Sequence, residues 1–367
     1  MKRIAISKLS LAASLVLLLA PATFAKTVQV GTCQPNLQGY STISEAVSAV
    51  PSGSTILVCP GTYPEQVTIT QPLTLKGVQS GTQANPAITV PRGGLTKTSN
   101  GVYYQVLVQG PASGVNISNI EVNGAHNGVP ADSALAGVYY QSASGSVRQM
   151  AIYNQTGNYL GTSVYIDSDL SPASVLVAGN SMHDFDSSGV YASGTITITS
   201  NVIVASNSFT GSAVPNGIVL FSGGIVNDNI LITHLQPPGV SAQTGIYVES
   251  DATITNNTIE NFGVGIWLFG NSNTATLNRV LLTDEAIVVS GTGNAVESNF
   301  LMNNEGADDN GAGIDFDCVG TGNTVINNVI NDAAYGIAAD SGGNTIAPNT
   351  YSNVVDIDGA GCGVRRR

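Results

Sequence analysis

The chain has 367 residues, with 12 Lys and Arg against 24 Asp and Glu, giving a formal net charge of −12 at pH 7. That balance argues against nucleic acid or an anionic membrane surface as a partner, because both are held by cationic patches. Only 10% of residues are charged and 42 are Gly, yet the density of Val and Ile speaks against disorder.

Residues 1–25 read as a secretory signal peptide. Lys2, Arg3 and Lys8 make a basic start, LSLAASLVLLLA is an apolar run too short for a comfortable membrane span, and Thr23-Phe24-Ala25 offers a cleavage site, with Ala20-Pro21-Ala22 as an alternative. The expectation is a secreted or periplasmic protein without membrane insertion. Its mature form keeps nine Lys and Arg against 24 acids, a net charge of about −15.

Four cysteines, Cys33, Cys59, Cys318 and Cys362, suit an oxidising compartment and allow three pairings. Cys33–Cys59 and Cys318–Cys362 are favoured because the repeats between them hold no cysteine. With no Cys-x-x-Cys and scattered His, a Cys-based metal site is not expected.

STISEAVSAVPSG predicts a short helix at about 42–50. Thr42 and Glu45 have capping-box spacing, and Ile43, Ala46, Val47 and Val50 form one apolar face suited to plugging the end of a solenoid. ILVCPGTY, QVTIT and LTLKG then read as strands, and Gln79 to Val102 as a lateral loop without a repeat.

Beyond it the chain repeats itself. A small residue followed by an apolar step recurs at Gly137, Ser163, Gly189, Gly217, Gly245, Gly265, Ala286, Gly313 and Gly336, at intervals of 20 to 28 residues. Out of phase with it, Asn precedes an apolar side chain by two positions at Asn180, Asn207, Asn257, Asn278, Asn299 and Asn328. Two interleaved ladders of short strands with almost no helical period indicate an all-β, single-stranded parallel β-helix of roughly ten coils, stacked about 4.8 Å apart. Asn suits its corners, since it tolerates left-handed backbone and its amide can bond the next coil. The solenoid is expected over 26–362, with a tail at 363–367.

The stretch STISEAVSAVPSGSTILVCPGTYPEQVTITQPLTLKG resembles the opening of secreted bacterial β-helix proteins of the pectin-lyase-like superfamily, and its Gly61-Thr-Tyr63-Pro-Glu65 is similar to the pectin methylesterase branch. The later ladders resemble carbohydrate-binding and sugar-hydrolase repeats. The resemblance implies a right-handed coil and a polysaccharide as partner. It does not extend to the catalytic motifs. His183-Asp184-Phe185-Asp186-Ser187 matches only two positions of the esterase Asp-Phe-x-Phe-Gly, and the Asn-Thr-Asp and Gly-His-Gly of polygalacturonases are missing. Arg279 is the one Lys or Arg between Arg148 and the C-terminal tail, so the basic catalyst of the lyases has few candidates.

Strand side chains alternate, so the second position after each small residue faces outward. Down the stack this row reads Tyr139, Tyr165, Tyr191, Val219, Tyr247, Trp267, Val288, Asp315 and Ala338, and the row two further reads Gln141, Asp167, Ser193, Phe221, Glu249, Phe269, Ser290, Asp317 and Asp340. Tyr139, Tyr165, Asp167, Tyr191, Tyr247, Glu249 and Trp267 are the candidate sugar-binding residues, with ring faces to stack on and carboxylates for hydroxyls. The alternative is a column that packs against itself or beneath loops.

At the C-terminal coils, Asp315 and Asp317 would project side by side about 6–7 Å apart. Asp317, Asp340 and Asp358, with Asp308, Asp309 and Asp356 nearby, form an acidic stack. Three readings stay open: a Ca²⁺ site, a catalytic pair Asp315 and Asp317 at a glycosidase spacing, or a solvated acidic edge. The sequence therefore predicts an exported β-helix that binds or modifies polysaccharide along an outward Tyr/Trp column. A rigid structural or surface-interaction scaffold is the alternative.

Overall fold

Short strands leave most of their backbone groups unpaired unless another segment lies alongside. Here that segment is the next coil. In the computed structural model, which describes residues 24–79, 84–110, 112–156, 160–168, 172–205, 215–234, 243–304, 311–338 and 342–356, one coil consists of strands Ala252–Thr255, Thr258–Glu260 and Val264–Leu268, each paired in parallel with its counterparts one coil back and one coil on. The first strands of the coils build a 14-stranded sheet, and the second and third strands together build one of 22 strands. An isolated antiparallel bridge joins Lys97 to Tyr103.

Inward positions stack in three apolar rows. Ile198, Val226, Ile254, Ala275, Val296 and Val325 run down the first, Ile203, Leu231, Ile259, Val280, Leu301 and Ile330 down the second, and Ile218, Ile246, Ile266, Ile287 and Ile314 down the third, all fully buried. The first row has no counterpart in the two ladders read from the sequence.

Between first and second strands runs a file of asparagines, buried at Asn180, Asn201, Asn229, Asn257, Asn278, Asn299 and Asn328 and half-buried at its end, Asn349. Each backbone N–H and each Nδ2 donates to the Oδ1 of the next asparagine at 2.8–3.0 Å. Asn201 and Asn229 occupy the rungs between Asn180 and Asn257; the expected Asn207 lies outside the described residues. The corner itself is divided between two residues. From Asn180 to Asn328 the position before the asparagine takes the left-handed turn, with φ of 57° at Ser200 and Asp228, 55° at Asn256 and 56° at Leu277, while the asparagine supplies the amide. In a second file at another corner, Asn273, Asn294, Asn323 and Asn344, each backbone N–H donates to the Oδ1 of the next asparagine, and Asn323 Nδ2 does so as well.

The recurring Gly-Ile step has a packing cause. A Cβ on Gly265 would lie 2.3 Å from Val280 Cγ1 and 2.6 Å from the carbonyl oxygen of Ala286, so only hydrogen fits between this strand and the core row.

The helix spans Ile43–Ala49. Thr42 Oγ1 accepts from the Glu45 N–H at 3.1 Å, and Glu45 accepts from the Ser41 N–H rather than from Thr42. Ile43, Ala46 and Val47 enter the same core as the coils. Glu65, the last residue of the Gly-x-Tyr-x-Glu stretch, accepts from the N–H groups of Ile43 and Ser44 at 2.8 and 2.9 Å, placing a carboxylate on the helix N-terminus. Tyr63 of the same stretch donates to the Cys59 carbonyl at 2.8 Å. Cys33 and Cys59 are disulfide-bonded, 26 residues apart; Cys362, the expected partner of Cys318, lies outside the described residues. The span read as a lateral loop contains a true rung, since Ala87–Thr89 pairs with Thr62–Pro64 and with Glu121–Asn123. No helix among the described residues is long and apolar enough to cross a membrane.

Replacing Asn257 by Ala strips the acceptor from both donors of Asn229 and leaves the Val226 carbonyl without its side-chain donor. Chemical denaturation should show a loss of about 2–4 kcal/mol, and Asn349→Ala, at the half-buried end of the file, a smaller one. Removing the Cys33–Cys59 bond with a double Ser substitution should cost roughly 3 kcal/mol through the opened loop, read as a lower melting midpoint under oxidising conditions.

Candidate functional site

The outward row of the third strands follows the register expected from sequence. Tyr139 pairs with Tyr165, Tyr165 with Tyr191, Tyr191 with Val219, Val219 with Tyr247, Tyr247 with Trp267, Trp267 with Val288, Val288 with Asp315, and Asp315 with Ala338. Parallel in-register stacking turns this into a line of rings. Centroids lie 4.8 Å apart for Tyr139–Tyr165, 5.2 Å for Tyr165–Tyr191, 4.9 Å for Tyr191–Phe221, 6.1 Å for Phe221–Tyr247 and 5.7 Å for Tyr247–Trp267. Phe269 touches both Tyr247 and Trp267, at 5.5 and 5.9 Å. Tilted and edge-on contacts dominate, as ring quadrupoles favour.

Phe221 and Phe269 belong to the column although they stand two positions beyond the outward row. Val219 interrupts the rings and is itself buried, and Phe221 from the same coil fills the gap between Tyr191 and Tyr247. Their place in the second outward row was the available signal, but alternation alone does not say that the two rows merge.

Two expected surface residues are not on the surface. Tyr139 is 0% and Asp167 6% accessible. The segment after the Ala87–Thr89 strand folds over this end of the face, so that Val102, Tyr104, Leu107 and Tyr139 form a second apolar cluster outside the coil. Tyr139 Oη donates to Asp167 and accepts from Asn100 Nδ2 at 2.9 Å. Burial, and then the Asp167 hydrogen bond, push the Tyr139 phenol well above its ordinary pKa. This pair fastens the loop and leaves Tyr165 as the first half-exposed ring.

From Tyr165 the column is half-buried through Tyr191, Phe221, Tyr247 and Trp267, and Phe269 is exposed. Glu249 is half-buried just past the end of the Tyr247 strand, Thr244–Val248; burial first, then the Glu249 charge, raise the Tyr247 phenol pKa. Trp267 Nε1 donates to Ser290 Oγ at 2.8 Å, and Ser290 Oγ donates to Asp317 Oδ2 at 3.2 Å. The last ring is thus tied to a carboxylate two coils further on. Ser290 was not singled out from sequence, since one Ser in an outward row carries no distinguishing mark.

Asp315 and Asp317 do not stand side by side on one strand. The strand ends at Asp315, and Asp317 and Cys318 turn left-handed at φ 46° and 58°. Asp315 is buried and its Oδ1 accepts the Asp317 N–H at 2.8 Å, so it closes the turn. Asp356 pairs with Tyr335 rather than continuing the Asp315 row. Asp308, Asp309, Asp340 and Asp358 lie outside the described residues, and among those described no group of three or more His, Cys, Asp or Glu converges to hold a metal ion. His183 and Asp184 pair at 2.7 Å on the second-strand face, where His183 stacks on Tyr153 at 5.1 Å, away from the column.

Solved structures share this architecture. A GH136 lacto-N-biosidase from Eubacterium ramulus is 13% identical with a TM-score of 0.60, covering 90% of this chain and 68% of that one. A DFA-IIIase from Arthrobacter chlorophenolicus A6, without its lid, is 15% identical with a TM-score of 0.57, covering 88% and 98%. No match was found among curated proteins. The family model for the right-handed beta helix region matches residues 104–280 and 196–351, more than half of the sequence. With its parallel rungs, three stacked apolar rows and asparagine files, the chain belongs to the right-handed β-helix family.

Proposed function

We propose that this is an exported polysaccharide-binding protein whose ligand lies along the rings from Tyr165 to Phe269. The observation that carries the reading is the unbroken series of ring contacts, half-exposed over five coils and held rigid by in-register pairing. Sugar rings present apolar C–H faces and a rim of hydroxyls, and a line of tilted aromatics with Glu249 and Asp317 beside it offers stacking surfaces and acceptors. A rigid platform also spends little ordering entropy on binding. The two outward rows hold carboxylates such as Glu249 but no Lys or Arg, which favours a neutral glycan over a polyanion. The two similar folds belong to a lacto-N-biosidase and a DFA-IIIase, which supports a saccharide as the ligand class. Export rests on the segment 1–25, together with the Cys33–Cys59 bond. Binding is favoured over turnover because Asp315, half of the expected acid pair, is buried and committed to the Asp317 turn.

Trp267 is the one tryptophan, so its fluorescence reports directly on the column. Titration with a panel of neutral polysaccharides should shift or quench that emission with at least one of them. Tyr247→Ala and Phe269→Ala should weaken the binding about tenfold each with little change in melting midpoint. Tyr139→Phe, beneath the loop, should do the reverse: a loss of about 1–2 kcal/mol in stability and unchanged affinity. A silent panel, or Tyr247→Ala binding like the parent, would leave the solenoid as a spacer scaffold.

A further inference from the structure

A concavity lies on a different face from the ring column. It has a volume of about 700 Å³, within the range of small-ligand pockets, between the turn at 91–95 and the loop at 124–130. Thr89 and Asn123, outward neighbours on the paired strands Ala87–Thr89 and Glu121–Asn123, lie at its base. Its wall is fixed. Buried Asn127 donates to the carbonyls of Gly124 and Thr156 at 3.0 and 2.8 Å and accepts from the Val129 N–H at 3.0 Å, and Gly94 N–H closes the facing turn onto Pro91. The covering segment separates this cleft from the ring column: Tyr103 lines the cleft, while its neighbours Val102 and Tyr104 pack with Tyr139.

The charge of the lining is opposite to that of the molecule. In a chain where acids outnumber Lys and Arg 24 to 12, the cleft contains Arg92 and His126 and no carboxylate. The acids nearest in sequence, Glu121 and Asp132, are not part of the lining, and Glu121 receives the Tyr153 hydroxyl at 3.2 Å. Among the described residues the one ion pair is His183–Asp184, so the Arg92 guanidinium is not consumed by a bridge. A guanidinium binds carboxylates through two parallel hydrogen bonds. Leu95, Val129 and Tyr103 supply apolar surface, and Thr89 and Asn123 polar groups, to a body that is partly C–H and partly hydroxyl.

We infer that this cleft binds a carboxylate-bearing saccharide, with Arg92 taking the carboxylate and His126 at its side. The site is separate from the ring column and does not depend on it. Ligand-observed NMR titration of the mature protein with glucuronate, glucose and inorganic sulfate tests this. Glucuronate should bind saturably, glucose at least about tenfold more weakly, and Arg92→Gln should lose about tenfold for glucuronate while Arg92→Lys keeps part of it. Both Arg92 and His126 are exposed, so melting midpoints should hold. Trp267→Ala should leave glucuronate binding intact, which separates this site from the column. Equal binding of glucose and glucuronate, full retention by Arg92→Gln, or sulfate binding as tightly as glucuronate would each overturn the assignment, as would the lack of any saturable binding.

Discussion

The buried asparagine file is the constraint from which the rest follows. A coil corner brings polar backbone into the interior, where an unpaired group is costly. From Asn201 onward each asparagine answers this by accepting two bonds on Oδ1 and donating through Nδ2, including one to a first-strand carbonyl such as that of Val226 or Ile254. Neighbouring rungs are separated by 21, 28 or 29 residues along the chain, yet the Nδ2–Oδ1 distance stays at 2.8–3.0 Å. The variation in repeat length is therefore absorbed elsewhere in the coil. The file holds the register while connecting segments change length.

Constant register is what makes a functional face out of isolated residues. Once Ile246 lies over Ile218 and under Ile266, Tyr247 has no choice but to lie over Val219 and under Trp267. Each tyrosine is an ordinary strand residue, and the column exists because the stack repeats it. The same logic explains the tight Gly-Ile step: at glycines such as Gly265 the core row approaches the strand backbone more closely than a Cβ would allow.

The third-strand row was legible in the sequence because every coil can be compared with its neighbour at a marked position, and the pairings from Tyr139 to Ala338 follow that alignment. What failed to show has physical causes. The first-strand row has segments such as Thr274–Thr276 and Ala295–Glu297, three residues each, with no small residue or aromatic to mark phase. Asn201 and Asn207 both precede an apolar residue by two, so spacing alone does not mark Asn201 as the rung; the pairing of Val202 with Ile230 does. The burial of Tyr139 depends on a loop that contributes Asn100, 39 residues away, which no local pattern encodes. The Asp315–Asp317 pair looked like two residues of one strand; a side chain that caps its own turn ended the strand between them.

The two ends of the column are built from carboxyl groups turned inward. Asp167 sits beneath the loop, bonded to the Tyr139 hydroxyl, and Asp315 is buried beneath the turn that presents Asp317. Both are spent on holding backbone and loop in place rather than on facing solvent. Between them lie rings whose only polar neighbours of note are Glu249, Ser290 and Asp317. On a molecule this acidic, a face whose charged groups are carboxylates is poorly suited to a polyanion, which would meet repulsion with no Lys or Arg in the two outward rows to compensate. A neutral chain meets no such cost and finds aromatic surface along its length. The cleft beside Arg92 has the opposite balance, and the covering segment that buries Tyr139 is also what separates the two. One insertion thus fixes where the ring column begins and walls off a cationic pocket on the neighbouring face.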